Sequence, residues 1–174
     1  MLNFDKSPKT INQPHLKGQV KLLQKAALIH QEKVLLLRRS KKEVNRPNCW
    51  DLPGGNVEWP VELKELSLPI ITGLHRDGLA REIAEETSLE IEPKDIAHSS
   101  LVFFETTFQP KENIFTIITG WSISLDKDRD QITPKLSSEH DLYEWINPEQ
   151  VQDYDFGYAK FIPEIIQAAW NYQK

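Results

Sequence analysis

Apolar and polar positions along this chain predict strands early and late, one helix between them and a second helix at the end. Val20 to Ile29 carries β-branched and aliphatic residues, Gln31-Glu32-Lys33 is polar, and Val34-Leu35-Leu36-Leu37 is a short apolar run before Arg38-Arg39. Run, turn and run predict a β-hairpin. Trp50 to Glu58 reads as strand end, turn and strand start, because Pro53-Gly54-Gly55 cannot continue a helix. Between Trp59-Pro60 and Leu68-Pro69, Glu62 to Leu66 has room for one helical turn. From Leu74 to Thr87 the period becomes helical, with Leu79 and Ile83 as an apolar i, i+4 stripe and Gly78 as its weakest point. Ser100 to Phe108 and Asn113 to Leu125 predict two strands joined by Gln109-Pro110-Lys111-Glu112. Asp126 to Ser138 is a polar loop, Leu142 to Ile146 a short strand, and Pro148 to Val151 a helical turn. Pro163 suits the first turn of a closing helix to about Tyr172, with Ile165, Ile166, Ala169 and Trp170 at helical spacing. Strands, helix, strands, helix predict an α/β or α+β arrangement with a mixed sheet between helices.

Composition narrows this picture. The 174 residues fit one domain, and the apolar share of 39% is enough for a core. Residues 1–16 are polar, contain Pro8 and Pro14, and read as an arm ahead of a domain over 17–174. Nothing approaches a membrane-spanning apolar run, and the first residues lack a signal-peptide layout. One cysteine, Cys49, excludes an internal disulfide and an all-cysteine metal site, and a cytoplasmic location is the default expectation. The net charge of −5 argues against a nucleic-acid polymer as partner and requires metal or local Arg and Lys for an anionic nucleotide to approach; no membrane partner is expected either.

The chemistry starts from Arg81-Glu82-Ile83-Ala84-Glu85-Glu86. On a helix, positions 82, 85 and 86 are related as i, i+3 and i+4, so three repelling carboxylates share a face. A divalent cation gathers such a set, whereas a plain solvated helix face needs none. The Gly54-Gly55 turn offers backbone oxygen and room for phosphate, so the two segments together outline a magnesium site that handles a pyrophosphate.

Leu-Pro-Gly-Gly-x-Val-Glu, followed by Arg-Glu-Ile-x-Glu-Glu-x-x-Leu, resembles the Nudix hydrolase family. Gly55 matches the first glycine of that family's box, and Arg81, Glu82, Ile83, Glu85, Glu86 and Leu89 match its second half. Trp50 before the glycine turn is also usual there, and the strand pattern extends the likeness over roughly 18–172. Two features depart. Arg81 follows Gly55 by 26 residues rather than 14, leaving about 12 extra residues that we place between 59 and 72. Counted back from Arg81, the box's first glutamate falls on Gly73; counted forward from Gly55, it falls on Val61, one step from Glu62. Ser88 stands where the family has glycine at the helix end.

The resemblance implies a Nudix-like α/β/α sandwich and Mg²⁺- or Mn²⁺-dependent hydrolysis of a nucleoside diphosphate linked to another moiety. It implies Glu85 and Glu86 as metal ligands, with Glu82 next and the Gly55 carbonyl alongside, and Arg81 as the group that orients a carboxylate. Glu139, in Glu139-His140-Asp141-Leu142-Tyr143-Glu144-Trp145, is either a further ligand or general base, or a loop carboxylate facing water; Glu105 competes with it. Arg39 either contacts substrate phosphate or snorkels at a strand end. Trp50, Phe104 and Phe115 are aromatic candidates for stacking a base, although core packing is the better reading of each. His75, His98 and His140 have no zinc spacing and read as surface or loop residues, and Cys49 as a small packed side chain. The family's markers for ADP-ribose, dinucleoside polyphosphates, NADH and coenzyme A are absent, which leans towards nucleoside triphosphates or a nucleoside diphosphate sugar. The alternative is a fold of this kind that binds nucleotide or regulates without turnover. The extra segment offers a lid or a homodimer contact.

Overall fold

The computed structural model describes residues 19–58, 72–125 and 132–174. The polar arm, the helical turn at Glu62 to Leu66 and almost all of the extra segment lie outside the described residues. A six-stranded mixed sheet is formed by β1 (Gln19–His30), β2 (Lys33–Arg39), β3 (Trp50–Asp51), β4 (Leu101–Gln109), β5 (Ile114–Ser124) and β6 (His140–Ile146). Helices α1 (Leu74–Thr87) and α2 (Phe161–Gln173) complete the arrangement. The strand order is β3-β2-β1-β5-β4, with β6 on the other edge of β2. β1 and β5 run parallel in register from Gln19 opposite Ile114 to Ile29 opposite Ser124, and the remaining pairs are antiparallel.

Alternation in the strands sorts side chains into two cores. Ala26 and Leu28 of β1, Leu35 and Leu37 of β2 and Trp121 and Ile123 of β5 pack with Leu79, Ala80 and Ile83 of α1. Ala27, Ile29, Val34 and Leu36 pack on the opposite face with Ile162, Ile165, Ile166 and Ala169 of α2. Val34 to Leu37 are fully buried, because helices cover both faces; that is why this run is continuously apolar. The sandwich is the expected α/β/α fold. Among the described residues, no helix is long and apolar enough to cross a membrane.

The site is made possible by a splay between β1 and β2. These strands pair only at Ile29–Val34 and His30–Lys33. Farther along, residues 50–57 enter the gap. β3 pairs with β2 at Leu37–Asp51 and Arg38–Trp50. The chain then crosses to β1, where Ala26 N–H donates to Pro53 O at 2.8 Å, Gln24 N–H to Gly55 O at 2.9 Å and Val57 N–H to Leu22 O at 2.9 Å. The Pro-Gly-Gly turn is thus held on the sheet by backbone bonds. Gly54 has φ of 121°, and a Cβ there would lie 2.4 Å from Gln24 O, so both conformation and space require glycine.

Candidate active site

α1 begins at Gly73, which is left-handed with φ of 88°, and ends at Ser88, also left-handed with φ of 56°. Ser88 N–H still closes the last turn on Ala84 O at 2.8 Å, so serine takes the position at the modest cost of a non-glycine residue in that region. The Leu79–Ile83 stripe clamps the helix to the sheet and turns the acidic face towards the Gly54–Gly55 turn.

Each of the three glutamates has a different environment there. Glu86 is buried, and its Oε2 accepts the Gly54 N–H at 2.8 Å. Burial pushes its carboxyl up to about 7, against the pull of Lys25 and the Gly54 N–H. Glu82 is half-buried and also raised, first by burial and then by Glu85, with Arg81 opposing. Its Oε2 lies 2.5 Å from where a Gly55 Cβ would stand, so glycine at 55 leaves that space to the carboxylate. Glu85 is more exposed. Arg81 Nη1 donates to both its oxygens, at 3.0 and 2.9 Å, while Nη2 donates to Glu82 at 2.7 Å. One guanidinium therefore holds two of the three carboxylates, and Glu58 approaches it at 3.8 Å.

The floor beneath the turn carries charges that the sequence reading did not pick out. Lys25, 4% exposed, donates to Gly54 O at 2.7 Å and Leu52 O at 3.0 Å and lies 3.1 Å from Asp51. Asp51 is fully buried, and Arg46 also bonds to it, with Arg39 at 3.8 Å. Burial opposes its ionisation, but Lys25 and Arg46 outweigh that and hold the carboxyl below its ordinary value. The signal was present in the sequence: Lys25 interrupts an apolar strand, and Asp51 stands between Trp50 and Leu52. A charge in such a place is buried and paired, or the strand does not form.

These groups line one cleft of about 780 Å³, the scale of a nucleotide site. Gly55, Arg81, Glu82, Glu85 and Glu86 are all on its wall, as are Glu139 and Arg39. Glu139 is exposed and precedes β6, and its carbonyl accepts Ser40 N–H at 2.7 Å. Arg39 is only 13% exposed and is already occupied, donating to Asn45 O at 2.7 Å and to Glu43 at 3.0 Å. It is a braced residue of the wall, not a snorkelling strand end. Glu105 is exposed on β4 and is not itself on the cleft wall, although Thr107 two places on and its cross-strand partner Ile118 are.

The aromatic candidates for the base do not come to the cleft. Trp50 packs edge-on against Tyr154, with ring centroids 5.2 Å apart, on the α2 core. Phe104 is 63% exposed on edge strand β4, away from the cleft lining, and Phe115 is likewise absent from it. Among the described residues, the aromatic side chains that line the cleft are Tyr158 and Phe161. Tyr158 was missed because it lies in a polar loop without period. The surface assignment of His140 is also corrected: it is 5% exposed at the start of β6, which begins there and not at Leu142. Burial, reinforced by Lys25, lowers its ring to about 4. His75 is partly buried, stacked between His98 and Trp121.

Among the described residues, no three His, Cys, Asp or Glu side chains close around a common point as a finished metal cage. The donor set nonetheless fits a hard dication. Two carboxylates raised by burial gain from a positive charge, and the space kept open by Gly55 adjoins Glu82.

Comparison with known proteins places these features in context. A NUDIX domain family model matches residues 25–165. The m7GpppN-mRNA hydrolase NUDT17 of Danio rerio is 33% identical over 93 residues, covering 53% of this chain and 26% of that protein. Its namesake from Xenopus laevis is 38% identical over 79 residues, covering 45% of this chain and 22% of that protein. The chain thus spans about a quarter of the length of these curated relatives. The crystal structure of a MutT protein from Methanosarcina mazei Go1 superimposes with a TM-score of 0.59 at 23% identity, covering 91% of this chain and 99% of that one.

Proposed function

The chain belongs to the NUDIX domain family, and on that footing we propose that it is a Mg²⁺-dependent pyrophosphohydrolase cleaving a nucleoside diphosphate linked to another moiety, of the nucleoside triphosphate or nucleotide sugar type. The observation that carries this reading is that Glu82, Glu85 and Glu86 line one cleft together with the Gly54–Gly55 turn. The relatives named as m7GpppN-mRNA hydrolases support hydrolysis of a phosphoric anhydride as the reaction class.

In this reading Glu82, Glu85, Glu86 and the Gly55 carbonyl hold the ion, Mg²⁺ or Mn²⁺. Once bound, the ion supplies charge neutralisation at the pyrophosphate and an activated water. The chain's own groups do the rest. Arg81 keeps Glu82 and Glu85 aimed across the helix by its paired donors. Lys25 fixes the turn from below by bonding the Gly54 carbonyl, and Glu86 fixes it from the side through the Gly54 N–H. Lys21 adds positive charge to the cleft wall, which favours an anionic substrate in a chain of net charge −5, while Arg39 stands there paired with Glu43. In this reading Glu139, exposed on the cleft wall, takes the proton of the attacking water.

A second reading, nucleotide binding or regulation without turnover, is favoured by one feature: Gly73, eight residues before Arg81, begins α1 without a carboxylate. A panel of nucleoside triphosphates and nucleoside diphosphate derivatives, incubated with Mg²⁺ and then with chelator, separates the two. Metal-dependent release of a nucleoside monophosphate supports the enzyme; binding without product from any substrate supports the regulator.

A further inference from the structure

The cleft floor is a continuous series of contacts. It runs from Glu86 to Gly54, from Gly54 to Lys25, from Lys25 to Asp51, from Asp51 to Arg46, and from Arg46 to the ring of Tyr158. The carboxylates stand at one end of this series and an aromatic ring at the other. That ring has an unusual state. Tyr158 is 72% exposed, yet it is braced on two sides. Its hydroxyl donates to the Asn45 side-chain oxygen, and the Arg46 guanidinium lies over one ring face, 5.8 Å from the centroid.

The brace is itself buried. The Arg46 side chain is 7% exposed, tied to Asp51 and donating to Phe156 O at 3.3 Å. Asn45 is held as well, its carbonyl accepting Arg39 Nε–H at 2.7 Å. Gly157, with φ of 59°, turns the loop tightly against this group: a Cβ there would lie 3.1 Å from Cys49 Sγ and 3.5 Å from Arg46 Cδ. An exposed ring that is fixed at its hydroxyl and backed on one face loses little freedom when a planar partner covers the other face. Arg46 has its charge met by buried Asp51, so it serves here as a backing plate and not as a phosphate clamp.

We infer that Tyr158, backed by Arg46 and aligned by Asn45, is the platform on which the nucleobase of the substrate stacks, with the Asn45 amide beside it for the polar edge of the base. The inference rests on the pyrophosphohydrolase reading, since it takes the phosphate end to be the carboxylate end. It gives Tyr158 the stacking role for which Trp50 and Phe104 were candidates.

The test compares two ligands that cannot be cleaved: an α,β-methylene nucleoside diphosphate, and methylenediphosphonate, which has the same phosphonate chemistry without a base. Binding of each is measured by calorimetry in Mg²⁺ for the wild type, Tyr158→Ala and Tyr158→Phe. Loss of one base–aromatic stack weakens the nucleotide analogue about tenfold or more in Tyr158→Ala. Methylenediphosphonate binding stays within about twofold, and Tyr158→Phe keeps most of the nucleotide affinity because the ring remains. Equal weakening of both ligands, or of neither, overturns the base platform while leaving the pyrophosphate site standing. A wild-type protein that binds neither ligand overturns both.

Discussion

Glu86 is the carboxylate whose environment makes the sharpest forecast. Its side chain is buried against the glycine turn, accepts one backbone N–H, and has an ordinary value of 4.5 pushed up to about 7. A carboxyl that titrates near 7 when folded and near 4.5 when unfolded binds its proton more tightly in the folded chain. Stability from this group is therefore complete below the unfolded value and is lost as pH rises through the folded value. The whole loss is about 3 kcal/mol, from the difference of the two values. Glu86→Gln keeps an oxygen for the Gly54 N–H and carries no charge at any pH. Urea unfolding in chelator should give the variant and wild type nearly equal stability near about pH 4.5, and the variant an advantage of about 2–3 kcal/mol near about pH 8.5. Added Mg²⁺ should then raise the wild type more than the variant, because the ion meets the charge that burial penalises. A difference between the two proteins that does not change with pH would refute the reasoning, as would a variant less stable than wild type at the alkaline end.

The remaining expectations concern the turn and its floor. Gly55→Ala should leave stability within about 1 kcal/mol, because its new Cβ meets only the end of the Glu82 side chain, yet weaken Mn²⁺ binding at least about tenfold by displacing that carboxylate. Gly54→Ala should behave in the opposite order, unfolding at markedly lower urea by about 2 kcal/mol or more, since its Cβ meets backbone at 2.4 Å with φ of 121°. Lys25→Met should cost about 3 kcal/mol in the same assay, through two carbonyls left without their donor and a buried Asp51 left with arginines alone.

Local pattern made much of this protein legible. The helix from Leu74 to Thr87 was readable because Leu79 and Ile83 repeat at helical spacing, and the β1–β2 hairpin because a polar turn divides two apolar runs. The acidic face was legible for the same reason: a helix fixes the relation of 82, 85 and 86 without tertiary information. What escaped depends on contacts distant in sequence. Nothing local states that residues 50–57 leave β2 for β1, and that crossing is what puts Gly54 against Glu86. For Trp50 the sequence favoured core packing over stacking a base, and the same crossing supplies its core partner, Tyr154. Tyr158 and Asn45 lie in separate polar loops brought together at the cleft wall, so no periodicity marks either one. Lys25 and Asp51 were the missed opportunity, since each is a lone charge among residues that must be buried.

If the α1 carboxylates hold a metal for pyrophosphate hydrolysis, Glu85→Gln should remove that function with the least disturbance of the fold. Glu85 is exposed and its side-chain contact is with Arg81, so its removal should leave the unfolding transition in place. Turnover of the nucleotide that wild type cleaves in Mg²⁺ should fall by at least about two orders of magnitude, because a lost metal ligand removes several kcal/mol of transition-state stabilisation. A folded Glu85→Gln protein with turnover close to wild type would contradict the account.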